Sequence, residues 1–429
     1  DLKEELPILF LRVRRAVTEL GAKLIVVHPR RTGLDGIAAH KITYRPGSGT
    51  EILERLAGGL GDMAEAREAL GEGPVVAIVG RTGLAEDPRL AEAVAAFARD
   101  LPGAGILPVA RRSNVFGALD MGLAPTLVPG RVSASSSAGR AALEAHWGPL
   151  PEGNAKDAAG ILAALVSGDL KGLIMLGADP VRDFVDPALA RRAVDAAGFV
   201  VAIDLFLTDS SRLADVVLPA EGLGETEGTV TNLEGRVQKV NRIVPGPGQS
   251  RAAWSILDDL ARRMGAELGA ISAAALMKEI AAVAPAYDGI SWDLLDWGEG
   301  REGVVVPRNG NGAILGYLPA GSGPAPAAGG SGKFALHLAR VLYDDGVHTR
   351  MGPSIAGLAP DAFAALHPDD AGRLGVAEGT PVKVASEKAA IEVPARLDPT
   401  LAAGTVYVPG NLAATGMLDA TPFVTVEAV

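Results

Sequence analysis

The chain has 429 residues, of which 48% are hydrophobic, which is enough for roughly two to four folded domains with apolar cores. Its formal net charge of −11 argues against a surface that binds nucleic acid, and no apolar run approaches the roughly 18 residues of a membrane helix. The lack of cysteine excludes disulfides and cysteine-ligated iron–sulfur clusters within these residues.

Four short apolar runs predict strands in the first half of the chain. Each is four or five residues long and lies close to Gly, Pro or Asp: residues 24–27, 75–79, 173–176 and 200–203. Uninterrupted apolar runs of this length are typical of parallel strands that are buried on both faces.

Helix signals lie between and after these runs. Asp-Pro pairs at Asp87 and Asp186 are typical of helix starts, and the second of these helices is expected to end at Gly198. A third helix is predicted between Ser250 and Gly265. The alternation of strands and helices predicts an α/β protein with doubly wound parallel sheets.

Residues 204–236 are the most informative segment. Residues 216–218 form a β-branched run that ends at Pro219, which predicts a strand followed by a loop. The predicted loop is rich in polar side chains: Glu225, Glu227, Thr229, Thr231, Asn232, Glu234 and Arg236. Ligands bind at the carboxyl ends of strands in an open α/β sheet, so this loop is a candidate binding site.

Composition predicts the domain boundaries. The Gly- and Pro-rich residues 148–153 separate a Rossmann-like α/β domain, residues 1–150 and N-terminally incomplete, from a second α/β domain, residues 151–318. Residues 319–333 are almost entirely Pro, Ala, Gly and Ser, which predicts a flexible linker.

A small β-barrel is predicted for residues 334–429. Alternating apolar and polar side chains there predict strands at residues 382–384, 391–393 and 405–408. A short helix is predicted to open at His367.

Several motifs resemble the molybdopterin oxidoreductase superfamily. Ala-Asp-Val-Val-Leu-Pro at residues 214–219, followed by Glu-x-x-Gly-Thr-x-x-Asn-x-Glu-Gly-Arg at residues 225–236, is similar to its signature. Residues 367–379 and 404–409 resemble motifs of its last domain, a double-psi β-barrel. Weaker matches lie near the N-terminus and in Gly-Ala-Asp-Pro: residues 23–32, 45–48 and 177–180.

The resemblance also implies where a pterin cofactor would bind. Active members hold two pterin dinucleotides and bind the guanosine ends through two carboxylates, but this chain has His28 and Gly49 at those positions. Asp179 replaces an amide and would repel a pyrophosphate. The resemblance therefore implies a cleft that has lost its molybdopterin and has no catalytic residue, with these vestigial positions: His28, Arg30, Gly49, Asp179, Glu225 and Asn232.

Each of these residues also has a structural interpretation. His28 suits a polar position at a strand end, and Arg30 suits a solvated loop. Asp179 before Pro180 suits a turn or a helix cap. The glutamates of the polar segment lack a visible nucleophile or metal partner, so structural hydrogen bonding is favoured for them. Asn232 and Arg236 are expected to fix the loop onto the sheet.

Other kinds of site are not favoured by the sequence. The six histidines lack the spacing of a zinc site. The only Gly-Lys pair, at Gly332, lacks the Ser or Thr that follows Gly-Lys in a phosphate-binding loop.

The sequence opens at Asp1 without an initiator methionine or a basic leader, which predicts the C-terminal portion of a longer protein.

One branch of the superfamily keeps the fold without the pterin: the large peripheral-arm subunit of NADH:quinone oxidoreductase, respiratory complex I, which is designated G in bacteria. The changed guanosine-binding positions are similar to that branch. The resemblance implies iron–sulfur clusters upstream of Asp1 and other peripheral-arm subunits as partners. It also implies a peripheral location on the cytoplasmic side of the membrane. The alternative is a molybdenum or tungsten enzyme of the formate dehydrogenase or nitrate reductase type, with its metal ligand upstream.

Overall fold

The computed structural model describes residues 1–111, 113–152, 155–307, 330 and 332–429. The helices are α1 Leu2–Glu5, α2 Pro7–Thr18, α3 Gly49–Ala57, α4 Ala64–Ala69, α5 Arg81–Glu86, α6 Leu90–Arg99, α7 Val115–Asp120, α8 Ser137–Trp147, α9 Ala158–Ser167, α10 Pro180–Asp183, α11 Pro187–Ala196, α12 Ala253–Arg263, α13 Ala273–Val283, α14 Trp292–Asp296, α15 Val347–Arg350 and α16 Pro368–Leu374.

The strands are β1 Ile25–His28, β2 His40–Thr43, β3 Val76–Gly80, β4 Gly105–Val109, β5 Leu127–Val128, β6 Val132–Ser133, β7 Gly172–Leu176, β8 Phe199–Asp204, β9 Val216–Pro219, β10 Gly228–Thr231, β11 Arg236–Val240, β12 Val304–Val305, β13 Phe334–Arg340, β14 Ala364–Leu366, β15 Pro381–Ala385, β16 Ala390–Leu397, β17 Thr405–Gly410 and β18 Phe423–Ala428. Every strand predicted above, and every predicted helix, is confirmed to within a few residues.

The chain folds into two compact units. The first contains Asp1–Arg111, Val185–Pro187 and Pro319–Val429, and the second contains Arg112–Phe184 and Ala188–Leu318. The predicted boundary near residue 150 coincides with no boundary of these units, and the division into residues 1–150, 151–318 and 334–429 stays a prediction. Most of the predicted linker, residues 319–329 and 331, lies outside the described residues.

The α/β part of the first unit contains two short parallel sheets. Strand β1 pairs with β2, and β3 pairs with β4, both in parallel register. Helices α3, α4 and α6 supply most of an apolar cluster that includes Leu56, Phe97 and Leu101. Helices α5 and α6 form the crossover connection that the parallel pair β3–β4 needs, and α3 and α4 lie in the segment between β2 and β3.

The barrel of the first unit is closed and has six strands in the order β13-β17-β14-β16-β15-β18. Its core consists of inward-facing side chains such as Leu336, Leu366, Val382 and Val406, because every second residue of a strand faces the interior. The His367 side chain caps α16 by accepting a hydrogen bond from Asp369 N at 3.2 Å. This confirms the predicted barrel and the predicted helix start.

The second unit contains a parallel sheet with helices on both faces. Its strand order is β7-β8-β9. On one face, α9 and α11 bury Leu165 and Ala193 against it, and on the other face α12 packs Ile256 against Ile203. This is the doubly wound arrangement that the sequence predicts. A second sheet, β10-β11-β12, is antiparallel and packs Val237 against α13.

Two sequence-based predictions are wrong in part. The apolar runs are not buried on both faces, because Val76 is 65% exposed and Ile174 is 58% exposed. In β7, Leu173 and Met175 pack on one face, whereas Ile174 lies on the opposite face, where α12 covers Ile203 of the neighbouring strand β8 and leaves Ile174 exposed. The segment predicted as a polar loop is also partly strand, because Gly228–Thr231 forms β10 and pairs with β11 as a hairpin. No helix in the described ranges is long and apolar enough to cross a membrane.

Candidate functional site

Three ionisable side chains meet in the first unit, at the carboxyl end of β1. The half-buried ring of His28 contacts the buried ring of His337 edge to face, with ring centroids 5.4 Å apart. Glu86, the last residue of α5, places its Oε1 atom 2.6 Å from His337 Nδ1. Chain segments that are 251 residues apart thus form one buried polar cluster.

Burial determines the protonation of this cluster. It raises the pKa of Glu86 to about 8 and lowers the pKa of His337 to about 3. Burial also lowers the pKa of His28 well below its ordinary value. Both shifts in the Glu86–His337 pair favour the uncharged forms, so at neutral pH the Glu86 carboxylic acid donates its proton to His337 Nδ1. The pair is a neutral hydrogen bond and not an ion pair.

The Glu86–His337 pair has two further polar atoms, one on each side chain. Within the described part of the chain, Glu86 Oε2 and His337 Nε2 are buried and have no hydrogen-bond partner. Buried polar atoms are normally satisfied, so each of these atoms calls for a partner from elsewhere. Both residues line a cleft of about 330 Å³ whose other lining is largely apolar.

Arg30 and Tyr407 flank the cluster. The guanidinium carbon of Arg30 lies 4.2 Å from the centroid of the Tyr407 ring, a cation–π contact. The Tyr407 ring is in turn 5.5 Å from His337, and burial raises the pKa of its hydroxyl. The His28 ring nitrogen Nδ1 lies 3.0 Å from Arg30 O, so this side of the imidazole is engaged by the turn that follows β1.

Gly49 lies at the start of α3 and packs against a leucine. A Cβ atom built on Gly49 would lie 3.2 Å from Leu90 Cδ2 and 3.3 Å from Leu90 Cδ1. These distances are shorter than ordinary carbon–carbon contacts, so the position has no space for a larger side chain without movement of Leu90. Its neighbour Thr50 donates its backbone N–H to Asp87 Oδ2 at 2.9 Å, which anchors the start of the helix.

Asp179 is buried in the second unit, just before α10. Its Oδ1 atom accepts hydrogen bonds from Ser210 N at 3.0 Å and from Ser210 Oγ at 2.6 Å. The same hydroxyl accepts from Val181 N at 2.9 Å. The carboxylate therefore joins the turn after β7 to the turn after β8, as a structural crosslink would.

Glu225 and Asn232 stabilise turns next to the hairpin of β10 and β11. Glu225 Oε2 accepts from Gly222 N at 2.8 Å. Asn232 Oδ1 accepts from Glu234 N at 2.8 Å and from Arg236 N at 3.0 Å, which closes the hairpin turn. Arg236 Nη1 donates to Gly303 O at 3.0 Å. These side chains fix local backbone geometry.

A second buried network lies in the second unit and has no counterpart in the sequence predictions. Asp120 is fully buried, and its Oδ1 atom is 2.5 Å from Arg131 Nε. Tyr287 donates its hydroxyl proton to Asp120 Oδ2 at 2.7 Å, and Thr231 Oγ1 lies 2.8 Å from the same hydroxyl. The polar segment thus contributes Thr231 to this network. A cavity of about 200 Å³ lies beside it, lined by Glu227, Thr229, Trp254 and Tyr287 among others.

Of the residues proposed from the sequence, the structure brings His28 and Arg30 together with Glu86 and His337, which sequence reasoning missed. One signal for His337 was present: it is the only polar residue between Phe334 and Ala339 in a barrel strand. Glu86 carries no such signal. Within the described ranges, no group of three or more His, Asp or Glu residues is placed to hold a metal ion.

Comparisons with known proteins agree with the motifs. Residues 1–263 match the family described as Molybdopterin oxidoreductase, and residues 336–422 match the Molydopterin dinucleotide binding domain. A solved structure, acetylene hydratase from Pelobacter acetylenicus, superposes with a TM-score of 0.62 at 16% identity and covers 98% of this chain and 76% of its own. At that identity the likeness concerns the fold alone, and it confirms the predicted fold class.

Curated relatives are longer than this chain. NADPH-Fe(3+) oxidoreductase subunit alpha of Geobacter sulfurreducens is 28% identical over 96% of this chain and 52% of its own length. The G subunit of the NADH-quinone oxidoreductase of Streptomyces coelicolor is 31% identical over 97% and 47%. F420-dependent formate dehydrogenase 1 subunit alpha of Methanococcus maripaludis is 30% identical over 73% and 49%. The chain spans about half the length of these relatives.

Proposed function

This chain belongs to the molybdopterin oxidoreductase family, and from that membership we propose that it is a structural, pterin-free portion of the large peripheral-arm subunit of a NADH:quinone oxidoreductase. In this role it carries no electrons itself. It holds the cluster-bearing part of its own subunit in position and docks other subunits of the peripheral arm, on the cytoplasmic side of the membrane. The complex transfers electrons from NADH through iron–sulfur clusters to quinone and translocates protons.

The observation that carries this proposal is the state of the vestigial pterin positions in the first unit. His28 replaces a carboxylate, and its Nδ1 faces its own turn at Arg30 O. Gly49 replaces the second carboxylate, and Leu90 occupies the space next to it. A pterin dinucleotide needs acceptors for its guanine edge, and these two residues supply no carboxylate, while a side chain at position 49 would require Leu90 to move. The residues present therefore do not fit the cofactor.

Asp179 in the second unit supports the same conclusion. Where the family has an amide, this chain has a carboxylate whose Oδ1 atom is taken up by two hydrogen bonds from Ser210. Such an atom is not available to a ligand, and a negative charge next to a pyrophosphate is unfavourable. His28 and Asp179 thus form internal hydrogen bonds, and Gly49 packs against Leu90.

A second candidate function is the catalytic portion of a molybdenum or tungsten pterin enzyme such as a formate dehydrogenase. The 30% identity to the Methanococcus maripaludis formate dehydrogenase chain favours it, since that identity is similar to the 31% shared with the NADH-quinone oxidoreductase relative from Streptomyces coelicolor. Overall identity does not discriminate between the two candidates. The discrimination rests on the residues at the cofactor positions.

Metal and pterin analysis of the complete polypeptide is the test. We expect no molybdenum, tungsten or released pterin in the protein purified from its native cells, because the positions that would bind the cofactor lack acceptors and space. A molybdoenzyme purified from the same cells serves as the loading control. Near-stoichiometric molybdenum or tungsten in this polypeptide would overturn the proposal in favour of the second candidate.

Restoring one carboxylate is expected to fail. Gly49→Asp places a side chain where Leu90 already lies, so it should destabilise the chain by about 1–3 kcal/mol and still bind no pterin. Gly36→Asp is the matched control, because a Cβ atom at Gly36 meets nothing within 4 Å and should cost little. Denaturant titration gives the stability, and fluorescence of oxidised pterin gives the cofactor content.

The double variant Gly49→Asp with Leu90→Ala tests whether pterin binding is prevented by the Leu90 side chain alone or also by the missing carboxylate at position 28. It removes the leucine side chain that blocks position 49, yet His28 still occupies the other carboxylate position. Pterin is expected to remain undetectable in this variant. Detectable pterin would show that a single leucine keeps an otherwise intact cleft closed.

A further inference from the structure

The second unit contains a cavity that the proposed function does not use. It has a volume of about 200 Å³ and lies between the hairpin strand β10 and the helices α13 and α14, with further walls from α7 and α12. Every residue that lines it belongs to the second unit. An apolar cavity of roughly 150 Å³ holds one benzene molecule, so this cavity has space for a single six-membered ring with a small substituent.

The walls of the cavity are rich in aromatic and methionine residues. They include Trp254, Tyr287 and Trp292, together with Met121 and Met277. Aromatic side chains pack well against ring-shaped partners, and the unbranched methionine side chain adapts to the outline of the molecule beside it. These walls suit an apolar ring.

Several polar groups of the lining already bond to other protein groups. Thr231 N donates to Asn114 Oδ1 at 2.8 Å. The Tyr287 hydroxyl donates to Asp120 and lies 2.8 Å from Thr231 Oγ1. These bonds hold the polar part of the wall in place through the buried network.

Trp254 supplies a donor that has no acceptor. Its Nε1 atom is buried and has no hydrogen-bond partner among the residues that the structure describes. An indole N–H can only donate, and buried donors are normally satisfied. Trp147 of the same unit shows the usual situation, since its Nε1 donates to Glu279 Oε1 at 2.7 Å. Trp254 therefore calls for an acceptor atom from a bound molecule.

The charge of the lining restricts the class of ligand. Glu227 is the only charged residue among the described residues that line the cavity, and it is exposed. A carboxylate repels a second anion, and no lysine or arginine of this lining offsets the repulsion. The cavity therefore does not suit a phosphate or a carboxylate, and its size and charge are also wrong for a pterin dinucleotide with its pyrophosphate.

We propose that this cavity binds a small neutral cyclic compound with one carbonyl group. The ring packs against the aromatic and methionine residues, and the carbonyl oxygen accepts a hydrogen bond from Trp254 Nε1. This site goes beyond the proposed function, since it gives a ligand to a portion that carries no electrons, and its absence would leave the metal and pterin analysis unchanged.

Cyclohexanone, which has one six-membered ring and one carbonyl oxygen, is the probe for this site. We expect it to bind the complete polypeptide saturably, with a Kd of about 1 mM or below. The Trp254 indole proton should shift downfield in a proton–nitrogen correlation spectrum, because it enters a hydrogen bond. Its resonance is assigned by its absence from the Trp254→Phe variant. The indole proton of Trp147, which is already bonded to Glu279, should not shift.

Two variants test the roles of the Trp254 N–H and of the cavity volume. Trp254→Phe keeps an aromatic ring and removes the N–H, so it should weaken binding of cyclohexanone about three- to tenfold. It should change binding of methylenecyclohexane much less, because that compound has the same ring without the oxygen. Ala273 is buried and lines the cavity, so Ala273→Leu should fill the space and abolish binding of both probes. Ala266→Leu is the matched control, since Ala266 is exposed and does not line the cavity.

Three outcomes would overturn the proposal. No saturable binding of cyclohexanone to the complete polypeptide would mean that the cavity is closed or filled there. Binding that is unchanged in both Trp254→Phe and Ala273→Leu would place the probe elsewhere on the protein. Cyclohexanecarboxylate that binds as tightly as cyclohexanone would show that the site does not select neutral compounds. If Ala273→Leu does not fold, the response of the two probes to Trp254→Phe decides.

Discussion

Replacement of Asp120 by alanine is expected to destabilise the second unit by about 3–5 kcal/mol. Asp120 is fully buried, and it forms an ion pair with Arg131 and accepts a hydrogen bond from Tyr287. Removing the carboxylate leaves the Arg131 guanidinium inside the protein without its counter-charge. A buried charge that has lost its partner costs far more than a surface pair contributes.

Tryptophan fluorescence during denaturant unfolding measures this loss selectively. All four tryptophans, Trp147, Trp254, Trp292 and Trp297, belong to the second unit, so their emission reports its unfolding. Asp62→Ala is the control for loss of a carboxylate, because Asp62 is 80% exposed in its ion pair with Arg55 and should cost less than about 1 kcal/mol, measured by total helix content. Similar losses in the two variants would mean that Asp120 is not the centre of a buried network.

The elements of this fold were predictable where their signals are local. The strand that ends at Pro219, the helix that opens at His367 and the barrel strands all follow from patterns within a few residues of each other. In each case the spacing of the apolar residues indicates the type of element, and a Pro, Gly or capping residue marks where the helix or strand begins or ends. The family resemblance also rests on such contiguous motifs, and the family matches confirm it.

The buried clusters were not predictable, because their members are distant in the chain. Tyr287 and Asp120 are separated by 167 residues, and His337 and Glu86 by 251. Nothing near any of these residues identifies its partner. The burial of β3 was overestimated for a related reason: an apolar run indicates that a strand is suited to a buried position, but the burial of its side chains depends on which distant elements of the chain cover each face of the sheet.

Replacement of Glu86 by glutamine is expected to make stability less sensitive to rising pH. Burial raises the pKa of Glu86 to about 8 in the folded chain, from an ordinary value of 4.5. Between these two values the unfolded chain has released the proton while the folded chain still holds it. Stability therefore falls as the pH rises from about 4.5 to about 8, and it changes little through this group above pH 8.

Glutamine imitates the protonated acid at all pH values. Its side-chain amide can donate to His337 Nδ1 as the carboxylic acid does, so the hydrogen bond is kept and the ionisation is removed. We expect the variant and the parent to have similar stability near pH 5. At pH 8 the variant should be more stable by about 2–4 kcal/mol. Unfolding of the parent releases the Glu86 proton at this pH, which favours the unfolded state, and the glutamine of the variant has no such proton to release.

His337 gives the opposite dependence and must be separated from Glu86. Burial lowers its pKa to about 3 from 6.5, so the unfolded chain takes up a proton on His337 as the pH falls below 6.5, and stability falls in that direction. The effect of Glu86→Gln is therefore the difference between variant and parent at each pH, since the histidine contributes equally to both.

Amide exchange of the barrel strand β13, which carries His337, measures the stability of the first unit across this pH range. The difference between variant and parent should rise from near zero at pH 5 to its full value at pH 8. Glu72→Gln is the matched control, because Glu72 is 55% exposed in its pair with Lys23 and should change stability by less than about 1 kcal/mol at every pH. Parallel profiles of Glu86→Gln and parent would show that Glu86 is ionised in the folded chain, and the neutral pair with His337 would then be wrong.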